Sequence, residues 1–126
     1  MATQIDDGPP KVLVVEDEFI IALDLSETVR DLGYRVEGPF ACRDHAMIAI
    51  DGKLPDLAIL DVMTADGEVF PLADALTEAG VPIIFHSGHV TEKDVAERYP
   101  EAQAVSKPCP PDQLIAMIER ARELVH

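Results

Sequence analysis

The residues equipped for chemistry are Glu16-Asp17-Glu18, Asp61, Ser87 and Lys107, and each stands at or near the end of an apolar run. Leu57-Ala58-Ile59-Leu60 stops on Asp61, and Lys11-Val12-Leu13-Val14-Val15 stops on Glu16-Asp17-Glu18. Two buried strands delivering acids to one sheet edge would gather carboxylates that repel one another and raise a pKa unless a cation sits among them. No His or Cys is read into that cluster, and oxygen ligands alone select a hard ion such as Mg²⁺. A carboxylate is also a covalent nucleophile towards phosphoryl groups. A divalent ion shared by Asp61 and an incoming phosphoryl oxygen would neutralise charge and fix an in-line approach. Lys107 would supply a fixed cation for the remaining oxygens, the Ser87 hydroxyl could donate to another, and Gly88 would let its backbone N–H come close. Singly, a turn serine or a surface lysine means little; the argument rests on the set, with Asp61 as phosphoryl acceptor.

Those residues need a parallel sheet to hold them. Strand one is read at 11–15 and helix one from Glu18 to Leu32, with Phe19, Ala22, Leu25, Val29 and Leu32 on its inner face and Gly33 as its stop. Strand two is short, Tyr34 to Glu37, and helix two runs from Arg43 to Ile50 before Asp51-Gly52. Strand three is 56–60, followed by a loop from Val62 to Glu68 whose Asp66-Gly67 is a turn signal. Helix three begins near Val69, because Pro71 fits only a first turn, and reaches Ala79 before Gly80. Strand four is Pro82 to Phe85. Thr91 to Arg98 is a short helix or a loop, with Val95, Ala96 and Tyr99 available to a core. Strand five spans Ala102 to Val105, and the last helix runs from Pro111 to Leu124 with Leu114, Ile115, Ile118 and Ala121 inward. Alternating strands and helices give an α/β fold whose parallel sheet is covered on both faces. Met47 and Met117 read as core filler and Met63 as a residue at the edge of the site.

The 126 residues are enough for one domain with a real core, read as 11–126 behind a flexible leader at 1–10. A net charge of −14, from 24 acids and 10 bases, repels phosphate backbones, so nucleic acid is a poor partner. Met1 to Pro10 contains acids and no base, unlike a signal peptide, and no apolar run approaches the roughly 20 residues that cross a bilayer. Cys42 and Cys109 match no metal spacing, which fits a reduced, cytoplasmic setting without membrane insertion.

Val14-Val15-Glu16-Asp17-Glu18, Ile59-Leu60-Asp61, Phe85-His86-Ser87-Gly88 and Lys107-Pro108 together make the chain resemble the receiver domain of two-component response regulators, from Lys11 to Leu124. The resemblance implies a flavodoxin-like fold with strand order 2-1-3-4-5, the order given for a chemotaxis receiver. It implies phosphotransfer from a sensor histidine kinase to Asp61, an acidic pair Glu16 and Asp17 around Mg²⁺, the Met63 carbonyl as a further ligand, and a cis Lys107–Pro108 bond. Two features depart from the family. The aromatic residue usual three positions before the lysine is Ala104, and the loop after Asp61 is short and lacks the usual proline. Both, with Phe85-His86-Ser87-Gly88, resemble an atypical subgroup whose motif reads Phe-Ala-Thr-Gly and whose fourth helix can be a loop. Ordering of residues 88–101, rather than an aromatic flip, is then the expected switch.

The expected function is a stand-alone receiver that signals to a downstream protein target or a phosphotransfer protein. The competing reading is an interaction module that keeps the acids without being phosphorylated. A flavin carrier would want Ser, Thr and Gly where Glu16-Asp17-Glu18 stands, and a paired-Asp phosphatase would not follow Asp61 with Val62-Met63. Zinc at His86 and His89 is disfavoured for want of a thiolate. His89 and Met63 are instead placed beside the path of water attacking the acyl phosphate.

Overall fold

A computed structural model describes residues 8–88 and 92–123 of the chain. In order these form β1 (Lys11–Val15), α1 (Phe19–Asp31), β2 (Arg35–Phe40), α2 (Arg43–Gly52), β3 (Leu57–Leu60), β4 (Met63–Thr64), β5 (Gly67–Glu68), α3 (Phe70–Glu78), β6 (Ile83–Ser87), α4 (Glu92–Arg98), β7 (Gln103–Ser106) and α5 (Pro111–Glu123). Most of the leader, together with His89, Thr91 and Leu124, lies outside the described residues.

The main sheet has the order β2-β1-β3-β6-β7 and all its pairings are parallel. With the small β4–β5 hairpin set aside, this is the expected 2-1-3-4-5 arrangement. The order reverses beside β1, so the carboxyl ends of β1 and β3 open onto one crevice, the usual binding place of such sheets. Strand alternation sends successive side chains to opposite faces. Leu13, Ala58, Leu60 and Phe85 pack with Ala46, Leu72, Leu76, Val95 and Tyr99 beneath α2, α3 and α4. Val12, Val14, Ile59 and Ile84 pack with Leu25, Val29, Leu114 and Ile118 beneath α1 and α5. Each buried leucine or isoleucine among them contributes about 2–5 kcal/mol relative to alanine.

Helix α1 ends as its sequence requires. Gly33 takes φ +90°, its N–H bonds the Arg30 carbonyl, and the Tyr34 N–H bonds back to Val29. That Schellman pattern needs a left-handed residue, which glycine supplies without a Cβ penalty. Gly80 closes α3 by the same pair of bonds, from Gly80 to Thr77 and Val81 to Leu76.

Several expectations are corrected. Strand two extends through Gly38-Pro39 to Phe40 rather than stopping at Glu37. A Gly-Pro pair normally breaks a strand, but β2 is an edge with a register irregularity opposite Leu13–Val15, where a missing N–H is tolerated. Gly38 has φ +104°, and a Cβ there would meet the Val14 carbonyl oxygen at 2.9 Å. Phe19 does not face the core: it is 75% exposed, because α1 begins at the sheet's rim and its packed face starts at Ala22. Ala96 is exposed while Val95 and Tyr99 are buried, and Ile115 is half-buried beside the buried Leu114 and Ile118. The segment read as helix or loop is helical over Glu92–Arg98. Met47 and Met117 pack against the two core clusters, as expected of filler.

Candidate functional site

The carboxyl edge of the sheet gathers the acids. β1 runs straight into Glu16, whose backbone N–H bonds the Phe40 carbonyl, and Asp61 follows β3 with its N–H on the Val15 carbonyl. These ladder bonds fix where both side chains leave the sheet. Carboxylate oxygens of Glu16, Asp17 and Asp61 lie within 4.8 Å of one another, with Asp17 exposed and the other two buried. The set offers oxygen donors to a hard cation from one open side.

Lys107 enters from the opposite strand. Its backbone N–H bonds the Ser87 carbonyl, prolonging the β6–β7 ladder in which Ser87 faces Ser106. The Lys107 Nζ donates to Asp61 Oδ2 at 2.9 Å and pairs with Glu16 Oε1 at 2.7 Å. The second contact is off the hydrogen-bond direction, so Glu16 Oε1 lacks a well-aligned donor. Glu16 Oε2 accepts the Glu18 N–H, and the Met63 N–H points at Asp61 Oδ1 from 3.3 Å. Gly88 adjoins the lysine stem, since a Cβ there would stand 3.8 Å from Lys107 Cδ. Lys107–Pro108 is cis, and so is Gly38–Pro39, which the resemblance did not suggest.

The charges are unequal in number, and the titrations follow. Burial pushes Glu16 up, but the neighbouring His86, Lys107 and Glu18 N–H outweigh it and hold the carboxyl down at about 2. Asp61 is pushed up to about 6, by burial first and then by the Glu16 carboxylate, against the pull of Lys107. Lys107 is raised despite its own burial, because both carboxylates favour its charged form. One ammonium between two buried acids satisfies the first and leaves the second short of positive charge.

The structure therefore brings together Glu16, Asp17, Asp61 and Lys107, with the Met63 backbone against Asp61 and Ser87 and Gly88 beside the lysine. Met63 presents a 41% exposed side chain at the rim. The sequence reading missed three things. It gave His86 no place beside the acids, yet His86 Nδ1 lies 3.8 Å from Glu16 Oε1 and both groups are buried. Alternation along β6 was the available signal, because Ile84 belongs to the α1/α5 face and His86 follows it by two. It also missed Asp66. That carboxylate accepts the Arg43 and Asp44 N–H groups at 2.7 and 3.1 Å and the Thr64 hydroxyl at 2.7 Å. Asp66 thereby caps α2, whose own N-cap residue Cys42 makes no side-chain cap. The Thr64 hydroxyl first and then those N–H groups hold its carboxyl down at about 2. Arg43 Nη1 completes the tie by donating to the Glu68 carbonyl at 2.8 Å.

The third is an aromatic cluster behind the site. The Tyr99 ring lies 5.1 Å from Phe85 and 5.9 Å from Phe70. Its hydroxyl donates to Asp74 Oδ1 at 2.6 Å, and Arg98 stacks over Phe70 at 4.3 Å. Phe85 is the register partner of Ala104, so the ring of Tyr99 packs beside the strand position where the resemblance leads one to expect an aromatic. Cys42 and Cys109 are both free thiols.

The model of the family described as "Response regulator receiver domain" matches residues 12–119. The chain belongs to this family. Receiver domains are the signal-accepting units of two-component systems, and this one is similar to the Phyllosphere-induced regulator PhyR of Methylorubrum extorquens, 34% identical over 118 residues, covering 91% of this chain and 44% of that protein. It is 30% identical over 116 residues to the transcriptional regulatory protein PdtaR of Mycobacterium tuberculosis, covering 90% and 57%. The receiver thus spans about half the length of the curated relatives it matches. Among solved structures, the receiver domain of PhyR from Erythrobacter litoralis superposes with a TM-score of 0.79 at 30% identity, covering 90% of both chains. Among the described residues, no helix is long and apolar enough to cross a membrane.

Proposed function

We propose that this receiver accepts a phosphoryl group on Asp61 from the phosphohistidine of a sensor histidine kinase. The observation that carries the reading is the placement of Lys107 Nζ between Asp61 Oδ2 and Glu16 Oε1, at the rim of a three-carboxylate cluster. In the step, an Asp61 oxygen attacks phosphorus, the donor's N–P bond breaks, and the electron pair returns to the imidazole nitrogen. An Asp61 carboxyl titrating near 6 is mostly ionised at neutral pH, so it can act as nucleophile without a base. Lys107 then stabilises charge on the transferring oxygens, aided by the Ser87 hydroxyl and the Gly88 and Met63 backbone.

The donors fit Mg²⁺, because all are oxygens and the acids outnumber the one ammonium among them. Glu16, Asp17, Asp61 and the Met63 carbonyl would hold the ion, which supplies charge neutralisation and in-line orientation when bound. Phe19 and Ile20, 75% and 74% exposed on the first turn of α1, offer an apolar contact beside the acids to the kinase or to a downstream protein. Such a protein would work in the cytoplasm, passing its state on by protein contact or by phosphorelay.

Acetyl phosphate with Mg²⁺ tests the reading. Intact mass should rise by one phosphoryl group, the adduct should be labile to hydroxylamine, and Asp61→Asn should abolish it. An unmodified wild-type chain would overturn the proposal in favour of a phosphorylation-independent interaction module.

A further inference from the structure

His86 is the penultimate residue of β6, in register with Val105 and on the α1/α5 side of the sheet. A histidine there is unexpected from packing alone, since its neighbours on that face, Ile84 and Val105, are aliphatic core residues. It is 3% exposed, and its Nδ1 has no hydrogen-bond partner among the described residues. It lines a groove of about 740 Å³ between α1 and α5, with Glu18, Leu25, Lys107 and Leu114 among the other walls. A buried donor left unpaired costs roughly 1–3 kcal/mol, so a neutral aliphatic residue would be the more stable choice.

The Nδ1 faces Glu16 Oε1 at 3.8 Å, too far for a formed hydrogen bond and close enough to become one with a small rotation. That oxygen is also without a well-aligned donor, because Lys107 approaches it at 2.7 Å from a poor angle. A partnerless Nδ1 therefore faces an oxygen whose close cation, Lys107, is shared with Asp61. Lys107 is shared between Glu16 and Asp61, and an anion arriving at Asp61 competes for it. Each time Lys107 turned to that anion, Glu16 would be left as a buried carboxylate short of a cation.

We infer that His86 is the positioning residue for Glu16: its Nδ1–H closes onto Oε1 as Lys107 leaves, and so keeps the carboxylate aimed at the cation position. The inference rests on the phosphoacceptor reading above. It assigns His86 no contact with the phosphoryl group and no proton transfer. Donors that orient a liganding group from behind typically change metal affinity tenfold to a hundredfold when removed.

The test titrates Mg²⁺ alone, and then Mg²⁺ with beryllofluoride, into the wild-type chain, His86→Leu and His86→Asn, following backbone amide shifts by NMR. Leucine fills the volume without a donor, whereas the asparagine amide places an N–H where Nδ1 stands. His86→Leu should bind Mg²⁺ about tenfold more weakly, with a larger deficit when beryllofluoride is present, and His86→Asn should recover most of the loss. In the wild-type beryllofluoride complex, the imidazole ¹⁵N shifts should report a protonated Nδ1. Wild-type binding with His86→Leu unchanged, or with His86→Asn as weak as His86→Leu while both retain the native amide spectrum, would overturn this inference alone. A wild-type chain that takes up neither Mg²⁺ nor beryllofluoride would overturn the reading of the site and this inference together.

Discussion

Lys107 Nζ and Asp61 Oδ2 stand 2.9 Å apart, joining residues 46 positions distant in sequence across the carboxyl edge of the sheet. The same ammonium neutralises Glu16, so its removal leaves two buried acids facing each other. Lys107→Ala should lower unfolding free energy at neutral pH by about 2–4 kcal/mol in urea titrations. The deficit should shrink on acidification, as protonation of Asp61 relieves the repulsion. An unchanged denaturation midpoint at neutral pH would show that the ion pair is not a stabilising contact.

Asp61 makes the opposite prediction. Its folded carboxyl titrates near 6 and its ordinary value is 3.8, so folding takes up a proton between those limits. Stability from this group therefore falls as pH rises through the window and stays low above it. Asp61→Asn should raise stability by about 1–3 kcal/mol above pH 6, with the gain disappearing near pH 4. Glu16 has the reverse sign: held near 2, it contributes stability above 4.5 that is lost as pH falls. Parallel melting curves of wild type and Asp61→Asn from pH 4 to pH 8 would check both the sign and the window.

Asp66 ties the loop after the acceptor to the start of α2. Asp66→Ala removes a cap and should lower the urea denaturation midpoint. Because β4 begins at Met63, whose N–H points at Asp61, the same variant should bind Mg²⁺ severalfold more weakly than wild type, as loss of a supporting contact does. Calorimetric titration of Mg²⁺ separates this from a merely local loss. Equal affinity would confine Asp66 to capping.

Tyr99 fastens the end of α4 to α3 through Asp74 and stacks on Phe85 of β6. Burial first, then the Asp74 carboxylate, pushes its hydroxyl up to about 12, so the bond to Asp74 persists across the physiological range. Tyr99→Phe should cost about 1 kcal/mol. Amide order parameters over residues 88–101 should rise on addition of beryllofluoride with Mg²⁺, and the rise should be smaller in Tyr99→Phe. Identical values with and without the phosphoryl analogue would rule out ordering of this segment as the switch.

The strands and their order were legible because buried parallel strands write themselves as apolar runs, as at Val12–Val15 and Leu57–Leu60. The acids were legible because each run stops on one. Helix ends at Gly33 and Gly80 were equally plain. The end of strand two was set too early, at Glu37, since local breaker chemistry is overridden when the strand lies at an edge. Phe19 was misread because periodicity identifies a helix face without saying how far the sheet beneath it extends. Asp66 and Tyr99 were obscure because each acts on a residue from another element, and spacing along the chain carries no trace of such pairs; alternation could place His86 on a face but could not name Glu16 as its neighbour.

Successive residues of β6 face opposite ways, and that alternation has a mechanical outcome. Phe85 touches Tyr99 on one side, while His86 looks towards Glu16 and the α1/α5 groove on the other. A small displacement of this single strand would be felt simultaneously by both helical layers, through a ring contact in one and a polar contact in the other. Two separate partners, one on each flank, could then read the same event without touching each other.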